Sequence, residues 1–236
     1  MGLSINSISA KLMKQLGPAK IAEFAHKCGV TSPLNEVPSL CLGASEVSLL
    51  DQVTGYSTMA NGGEKTDPIL VLKITDKVGT VLREFSPIEK AAIKPETAYL
   101  MTYMLQGAVQ EPGGTAEGLK RTSIVAGNEI GAKTGTTSNY SDGWFMGVTQ
   151  KIVAGVWVGG DDRSIHFRSL ALGQGAKMAM PVYAKFMERV YSDATLAIEG
   201  YRKMPFLKPD HFTFDFTCSG KVGQDSLAIS TQPVIQ

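Results

Sequence analysis

The sequence predicts an α+β fold in which an antiparallel sheet is flanked by helices. Helical periodicity fills the N-terminal third of the 236 residues, resumes at Pro95 and returns at Pro181 near the end. Between the last two helices lie three strand-like runs, at residues 130–137, 143–149 and 152–159. The second and third runs are joined by so short a turn that they predict an antiparallel hairpin. Helices on either side of such a run are typical of α+β domains, where they pack on the sheet.

Apolar stripes predict which side of each helix faces the core. A helix begins near residue 8, a second follows Pro18, and a third starts near Ser45 or Ser48, either of which can cap it. A hairpin is predicted at residues 69–85, around a turn at Asp76. The stripes of the first, third and last helices are Ile8, Leu12 and Leu16; Leu49, Val53, Tyr56 and Ala60; and Val182, Phe186 and Val190.

The composition narrows the classes of function. The chain is 43% hydrophobic and 19% charged, which is enough apolar material for a sizeable core. A net charge of +1 without a long basic run argues against nucleic acid as a partner. No apolar run approaches the roughly 20 residues of a membrane helix, and no signal peptide opens the chain. Because the helical pattern already runs at residue 8, we expect an N-terminally truncated piece of a longer protein.

Metal and disulfide chemistry find no support in the residue spacing. The cysteines are too few for a disulfide scaffold, and neither they nor the histidines have the spacing of metal ligands. We therefore predict no metal site and no cofactor. The cysteines are Cys28, Cys41 and Cys218, and the histidines are His26, His166 and His211.

The stretch "GAKTGTTSNYSDGWF" contains the first candidate site, on the first of the three predicted strands. Lys133 supplies a cation that can tune the proton transfers of a hydroxyl, and Thr134 and Thr136 supply hydroxyl donors for a carboxylate. Gly135 has no side chain, so an extended peptide can lie against the strand edge and pair with its backbone. The alternative is an ordinary, solvent-exposed strand end.

Ser4-Ile5-Asn6 is the second candidate. The Ser4 hydroxyl can relay a proton between a lysine and a leaving group, and the Asn6 amide offers a donor and an acceptor to a peptide. The alternative is that Ser4 or Asn6 caps the helix that follows. If the two candidates form one site, the Ser4 hydroxyl and the Lys133 ammonium should meet in one cleft.

In this order the two motifs resemble the transpeptidase domain of class A penicillin-binding proteins. That family carries Ser-x-x-Lys, Ser-x-Asn and Lys-Thr-Gly motifs, and the second and third are similar to Ser4-Ile5-Asn6 and Lys133-Thr134-Gly135. The flanks "PSLCLGASEVSLLDQVTGYSTMANGG" and "VAGVWVGGDD" also resemble the family. The similarity covers roughly residues 3 to 190, so we expect residues 1–195 to be the C-terminal portion of a β-lactamase/transpeptidase-like domain. Residues 196–236 would be a partly disordered extension, because periodicity fades after about Met204.

The first family motif, which holds the nucleophilic serine, is absent from this chain. No serine is followed by a lysine three positions later. In the family this motif precedes Ser-x-Asn, and a glycosyltransferase domain and a membrane anchor lie further upstream. The resemblance therefore implies a piece of a peptidoglycan D,D-transpeptidase from the outer face of the cytoplasmic membrane, inactive when isolated.

The resemblance also implies roles for the site residues. A serine attacks the D-Ala-D-Ala bond of a peptidoglycan stem peptide to form an acyl-enzyme, and β-lactams such as penicillin enter the same site. Ser4 and Lys133 would shuttle the leaving-group proton, and Asn6 would hold the substrate amide. Thr134 and Thr136 would bind the terminal carboxylate. Two alternatives are a non-catalytic peptide- or protein-binding module on the same fold and a serine β-lactamase relative.

Overall fold

The computed structural model describes residues 1–213. Its helices are α1 (Asn6–Leu16), α2 (Pro18–Lys27), α3 (Leu49–Ala60), α4 (Pro95–Gln110), α5 (Leu170–Gly173), α6 (Gly175–Met178), α7 (Met180–Ser192) and α8 (Ala194–Ile198). Its strands are β1 (Glu64–Thr66), β2 (Lys73–Thr75), β3 (Val81–Glu84), β4 (Glu89–Ala91), β5 (Gly131–Thr136), β6 (Asp142–Val148) and β7 (Val153–Gly159). Short 3-10 helices occupy Pro38–Leu42 and Glu117–Arg121.

The largest sheet is three-stranded and antiparallel, in the order β5-β6-β7. Its strands are the three that the sequence predicts, and the α+β class is confirmed. In its register Lys133 lies opposite Met146, which lies opposite Gly155. The order makes β5 an edge strand, which leaves one side of its backbone without a strand partner in this sheet.

Helices cover both faces of this sheet. On the face that carries Gly131 and Gly155, α4 and α3 approach closely. A Cβ at Gly131 would lie 2.9 Å from the Leu105 Cβ, and one at Gly155 would lie 2.8 Å from a Val53 methyl. On the opposite face the Tyr183 ring of α7 lies over β6 at Gly147, where a Cβ would come within 2.2 Å of it. The sheet therefore lies between α3 and α4 on one side and α6 and α7 on the other.

The main core lies on the α7 side of the sheet. The rings of Phe145 and Tyr183 are both fully buried, with centroids 4.9 Å apart. The cluster around them is Ala108, Val109, Ala116, Leu119, Ile124, Ile130, Ala132, Ala179, Ala184 and Met187. The predicted face of α7 was partly wrong, because Val182 and Phe186 are exposed and only Val190 of that stripe is buried.

The stripe of α1 was also wrong as a prediction of burial. Ile8, Leu12 and Leu16 are 55%, 51% and 49% exposed, and Met13 is the buried residue of this helix. In α3 the prediction was closer, because the stripe of Leu49, Val53, Tyr56 and Ala60 is partly buried. It packs towards β7 and towards a second, smaller core cluster of Leu105, Val148 and Phe206. The fully buried positions of α3 are Asp51, Thr54, Gly55 and Thr58.

A buried carboxylate ties the start of α3 to the chain after α2. Ser48, one of the two predicted capping residues, caps α3. Its hydroxyl accepts a 3.0 Å hydrogen bond from the Asp51 N–H. The Asp51 carboxylate accepts hydrogen bonds from the backbone N–H and the hydroxyl of both Thr31 and Ser32. Burial alone would raise the pKa of Asp51, but these bonds outweigh it and lower the pKa to about 2.

The predicted hairpin is formed by β2 and β3, with Asp76 closing its turn through bonds from Val78 and Thr80. It carries several exposed apolar side chains, among them Leu70 and Val78 at 91% and 86%. A second pair, β1 with β4, was not predicted, because its strands have only three residues each.

The described part of the C-terminal segment packs on the body. Phe206 is 6% exposed, its N–H donates to Glu129, and the Met204 N–H donates to Asn128. The chain therefore still packs on the domain at Met204 and Phe206, where the periodicity of the sequence fades. Residues 214–236, with Cys218, lie outside the described residues. Among the described residues, Cys28 and Cys41 are free thiols.

Within residues 1–213, no helix combines the length and the apolar character needed to cross a membrane.

Candidate functional site

Ser4 and Lys133 meet, although they are 129 residues apart in the sequence. The Lys133 Nζ donates a 2.8 Å hydrogen bond to the Ser4 Oγ and a 2.6 Å bond to the backbone oxygen of Thr134. Lys133 comes from the middle of β5, and Ser4 lies two residues before α1 begins. The structure therefore brings the first residue of one candidate motif against the first residue of the other.

Lys133 is a partly buried cation. Burial lowers the pKa of Lys133 below its ordinary value, because desolvation disfavours the charged form. Among the described residues, no carboxylate lies within ion-pair distance of Lys133. A lysine in this state gives up its proton more readily than an exposed one, and its contact is a hydroxyl that can carry that proton.

The segment before α1 is held against the end of α4. Gly2 is buried, and a Cβ there would lie 2.7 Å from the Gly107 oxygen, so only glycine fits. The Gly2 oxygen accepts a 3.1 Å bond from the Thr115 N–H. Ser4 itself has a φ of 51°, in the left-handed region that a residue with a side chain rarely adopts. The chain is thus anchored on one side of Ser4 and strained at Ser4.

Neither Ser4 nor Asn6 caps α1. The N-cap position is Ile5, and this position provides no side-chain capping hydrogen bond. The capping alternative is therefore wrong. Asn6 is exposed at the first position of the helix. In the part of the chain that the structure describes, no hydrogen bond joins the Asn6 side chain to Ser4, Lys133 or β5.

The hydroxyl residues of β5 lie beyond Lys133 towards the end of the strand. Thr134 and Thr136 share one face of β5, because they are two positions apart. The Thr136 Oγ1 accepts a 3.0 Å bond from the Gly175 N–H at the start of α6. Gly135 lies opposite Trp144, where a Cβ would come within 3.0 Å of the Trp144 Cβ. Near Gly135, one side of β5 therefore packs closely against β6, and the other side is the edge of the sheet.

The turn after β5 is fixed by a hydrogen-bonded group. The Thr137 Oγ1 accepts from the N–H groups of Ser141 and Asp142 at 3.1 and 2.9 Å. The Ser141 hydroxyl donates to Asp142, and the Trp157 indole N–H donates to the other Asp142 oxygen at 2.9 Å. Tyr140, within the turn, has a φ of 61°. These contacts hold the end of β5, and with it Thr136, against β6 and β7.

Two glycines that shape the site were not identified from the sequence. Gly175 begins α6 in contact with Thr136, and the sequence assigned it no role in the site. Gly2 was given no role. A glycine needed because a neighbouring backbone lies close leaves no local signal, since the neighbour comes from a distant segment.

Taken together, these residues have groups that can bind an extended ligand with an anionic end. A free strand edge can pair with a peptide backbone, hydroxyls of Thr134 and Thr136 can donate to a carboxylate, and Lys133 can exchange a proton with Ser4.

Comparison with known families and curated proteins gives consistent matches. The family model described as "Penicillin binding protein transpeptidase domain" matches residues 1–188. Penicillin-binding protein 1A of Aquifex aeolicus is 33% identical over 222 residues, which is 92% of this chain and 29% of that protein. Penicillin-binding protein 2D of Bacillus subtilis is 30% identical over 190 residues, 80% of this chain and 27% of that protein.

Solved structures show the same relationship. Penicillin-binding protein 1A from Haemophilus influenzae superposes with a TM-score of 0.73 at 25% identity, over 82% of this chain and 34% of that chain. Penicillin-binding protein A from M. tuberculosis, solved as a ceftriaxone acyl-enzyme complex, shares the fold with a TM-score of 0.62 at 20% identity. That match covers 78% of this chain and 46% of that chain. The chain thus spans less than a third of the curated relatives described above.

Proposed function

Because the chain belongs to the penicillin-binding protein transpeptidase domain family, we propose that it carries the substrate-binding and proton-relay part of a peptidoglycan D,D-transpeptidase site. The observation that carries the proposal is the 2.8 Å bond from the Lys133 Nζ to the Ser4 Oγ. Local structure does not require these residues to meet, whereas a proton relay does.

The substrate would be a stem peptide ending in D-Ala-D-Ala, bound as an extended strand along β5. The hydroxyls of Thr134 and Thr136 would donate to its terminal carboxylate, and Asn6 would hold an amide further along the peptide. The Thr136 N–H would provide one donor to the oxyanion that forms at the scissile carbonyl. β-Lactams would occupy the same place.

The proton relay would act as the acyl-enzyme forms. When the bond between the two D-alanines breaks, the departing amine takes a proton from the Ser4 hydroxyl. The Ser4 oxygen is then reprotonated by Lys133, whose lowered pKa favours this transfer. A second stem peptide would bring its amine to the same place, and reversal of the relay would remove the proton from that amine.

The nucleophile would come from outside this sequence, which contains no Ser-x-x-Lys. We therefore propose that the chain by itself binds peptides without becoming acylated. Incubation with a fluorescent penicillin followed by denaturing electrophoresis tests this, and a covalent adduct would identify another nucleophile and contradict the motif assignment.

In the whole protein, the site would act at the bacterial cell envelope, on the outer face of the cytoplasmic membrane. A membrane anchor and a glycosyltransferase domain would belong to that protein. Its partners would be peptidoglycan stem peptides and β-lactams, and no nucleic acid.

Peptide binding to the isolated chain tests the proposed site. N-acetyl-D-alanyl-D-alanine should shift the backbone NMR signals of residues 133–136 and of Ser4. The L-alanyl-L-alanine isomer has the same charge and composition, so it is a matched control and should shift them much less. Equal responses to both peptides, or no response at β5, would contradict the proposal.

A non-catalytic binding module remains a second candidate, because this sequence lacks the nucleophile motif. The Ser4–Lys133 pair distinguishes the two, since a module that only binds peptides needs no proton relay. If the relay operates, Ser4→Ala in the whole protein should slow acylation by penicillin far more than it weakens peptide binding. Equal acylation rates in Ser4→Ala and the wild type would favour the binding module.

A further inference from the structure

We propose that Gly175 is a positioning residue that turns the Thr136 hydroxyl into a hydrogen-bond donor and so makes the site prefer ligands ending in a carboxylate over those ending in a carboxamide. The inference rests on the proposed function and concerns the same site. Its starting point is the 3.0 Å bond from the Gly175 N–H to the Thr136 Oγ1.

A threonine hydroxyl has one proton to donate and two lone pairs that accept. The Gly175 N–H occupies one lone pair of the Thr136 oxygen. Its positively polarised hydrogen also keeps the hydroxyl proton of Thr136 pointing away from Gly175. Within residues 1–213, no acceptor takes the Thr136 hydroxyl proton, and the residue is exposed. The proton is therefore left for a ligand. A carboxylate only accepts and takes this proton in a charge-assisted bond. A carboxamide offers a weaker, neutral carbonyl acceptor, and its NH₂ would compete with Gly175 for the lone pairs of the hydroxyl.

The closeness of Gly175 to the sheet explains why a glycine stands there. A Cβ at this position would lie 2.5 Å from the Gly135 oxygen and 2.4 Å from the Trp144 oxygen. These neighbours are backbone atoms of β5 and β6, which cannot move aside as a side-chain end can. The φ of Gly175 is not in the left-handed region. Glycine is therefore required at this position because there is no room for a Cβ, and not because of its backbone conformation. The absence of a side chain lets the Gly175 N–H come close enough to bond to Thr136.

Gly175→Ala is the direct test, because its Cβ would push the start of α6 away from β5 and lengthen the bond to Thr136. Gly173→Ala is the matched control. Its Cβ would also be crowded, at 2.5 Å from the Tyr140 Cβ, but it would touch no atom of β5 or β6 among its nearest neighbours. Each variant is titrated with N-acetyl-D-alanyl-D-alanine and with the carboxamide of the same peptide.

The wild type should bind the acid more tightly than the carboxamide, and Gly175→Ala should lower this ratio about tenfold, as expected for one charge-assisted hydrogen bond. Gly173→Ala should keep the wild-type ratio. An unchanged ratio in Gly175→Ala would overturn the inference and leave the proposed function standing. Failure of the wild type to bind either peptide would instead refute the proposed function, and the inference with it.

A second measurement applies even if Gly175→Ala does not fold. Thr136→Val removes the acceptor of the Gly175 N–H, so hydrogen exchange of that amide should become at least tenfold faster. Thr136→Ser keeps the oxygen and should preserve the protection. Equal exchange of the Gly175 amide in both variants would show that Thr136 does not hold it, which overturns the inference.

Discussion

Ser4 adopts a backbone conformation that its side chain disfavours. A residue with a Cβ loses roughly 1–2 kcal/mol in the left-handed region, where Ser4 lies with a φ of 51°. The bonds around it compensate, since the Ser4 N–H donates to the Met1 oxygen and its hydroxyl accepts from Lys133. Strain of this kind is concentrated at functional sites, where the position of one side chain matters more than local stability.

Substitutions at Ser4 can measure this strain. Ser4→Gly should be more stable than Ser4→Ala by about 1 kcal/mol, because glycine adopts a positive φ without steric cost. Chemical denaturation gives the two free energies of unfolding. Ser9 lies within α1 and is the control, since there the alanine variant should be the more stable one. If the alanine variant is more stable than the glycine variant at both positions, Ser4 is unstrained.

Lys133 should reduce the stability of the fold. It is a partly buried cation without a carboxylate partner among the described residues. Lys133→Met should therefore raise the free energy of unfolding by about 1 kcal/mol at neutral pH while it weakens peptide binding. Lys151→Met, at an exposed turn of the same sheet, should change neither quantity.

The pH dependence of the free energy of unfolding tests the effect of Lys133. The folded pKa of Lys133 is lowered, so between that pKa and the ordinary value of 10.5 the unfolded chain binds more protons. The wild type should gain stability as the pH rises through this window, and its difference from Lys133→Met should shrink. A difference that stays constant or grows would contradict the assigned environment of Lys133.

At the scale of elements, Asp51 links α3 to the segment after α2. Its folded pKa of about 2 lies below the ordinary aspartate value, so its contribution is present above about pH 4 and is lost as the pH falls towards 2. Asp51→Asn should lower the free energy of unfolding at pH 7 by about 1.5–3 kcal/mol, and the loss should diminish below pH 4.

Asp161→Asn is the control for this prediction, because Asp161 is an exposed carboxylate just after β7. Its free energy of unfolding should follow that of the wild type across the same pH range. If Asp51→Asn loses the same free energy of unfolding at every pH, Thr31 and Ser32 do not stabilise the charged form of Asp51.

The elements also show what periodicity can predict. The three strands of the main sheet were found because their connections are short and their residues favour strands. The buried side of α7 was misplaced by one position, since Val182 and Phe186 are exposed while Tyr183 and Met187 are buried. Both stripes have helical spacing, and the position of β6 decides between them. A helical pattern thus predicts an apolar stripe but not what covers it.

At the scale of the whole molecule, a large amount of apolar surface is exposed. The stripe of α1 is about half exposed at each residue, and the β2–β3 hairpin exposes Leu70, Leu72 and Leu82 at 91%, 64% and 66%. Patches of this kind promote association. We therefore expect the isolated chain to self-associate, and a monomer with a concentration-independent mass would contradict this expectation.

Sedimentation velocity on two triple variants can assign the association to one surface. Replacing Ile8, Leu12 and Leu16 with glutamine should lower the average mass, since this stripe is a continuous face of one helix. Replacing Leu70, Leu72 and Leu82 in the same way is the matched control and should have the smaller effect. The reverse order would assign the association to the hairpin.

The meeting of Ser4 and Lys133 could be predicted only from the resemblance to a family. Composition and periodicity contain no information on a contact between residues 129 positions apart. The motifs predicted which residues meet, whereas the supporting contacts of Gly2 and Gly175 depend on backbone atoms from distant segments. The contact between the two motifs was therefore predictable, and the glycines that support it were not.

A double-mutant cycle tests the central claim, that Ser4 and Lys133 act as one unit in a peptide-binding site. The affinity for N-acetyl-D-alanyl-D-alanine is measured for the wild type, Ser4→Ala, Lys133→Met and the double variant. Residues in direct contact within one network couple by about 0.5–3 kcal/mol. We predict a coupling in this range, with the double variant losing less than the sum of the single losses. Single losses that add within about 0.3 kcal/mol, or a wild type that does not bind the peptide, would contradict the claim.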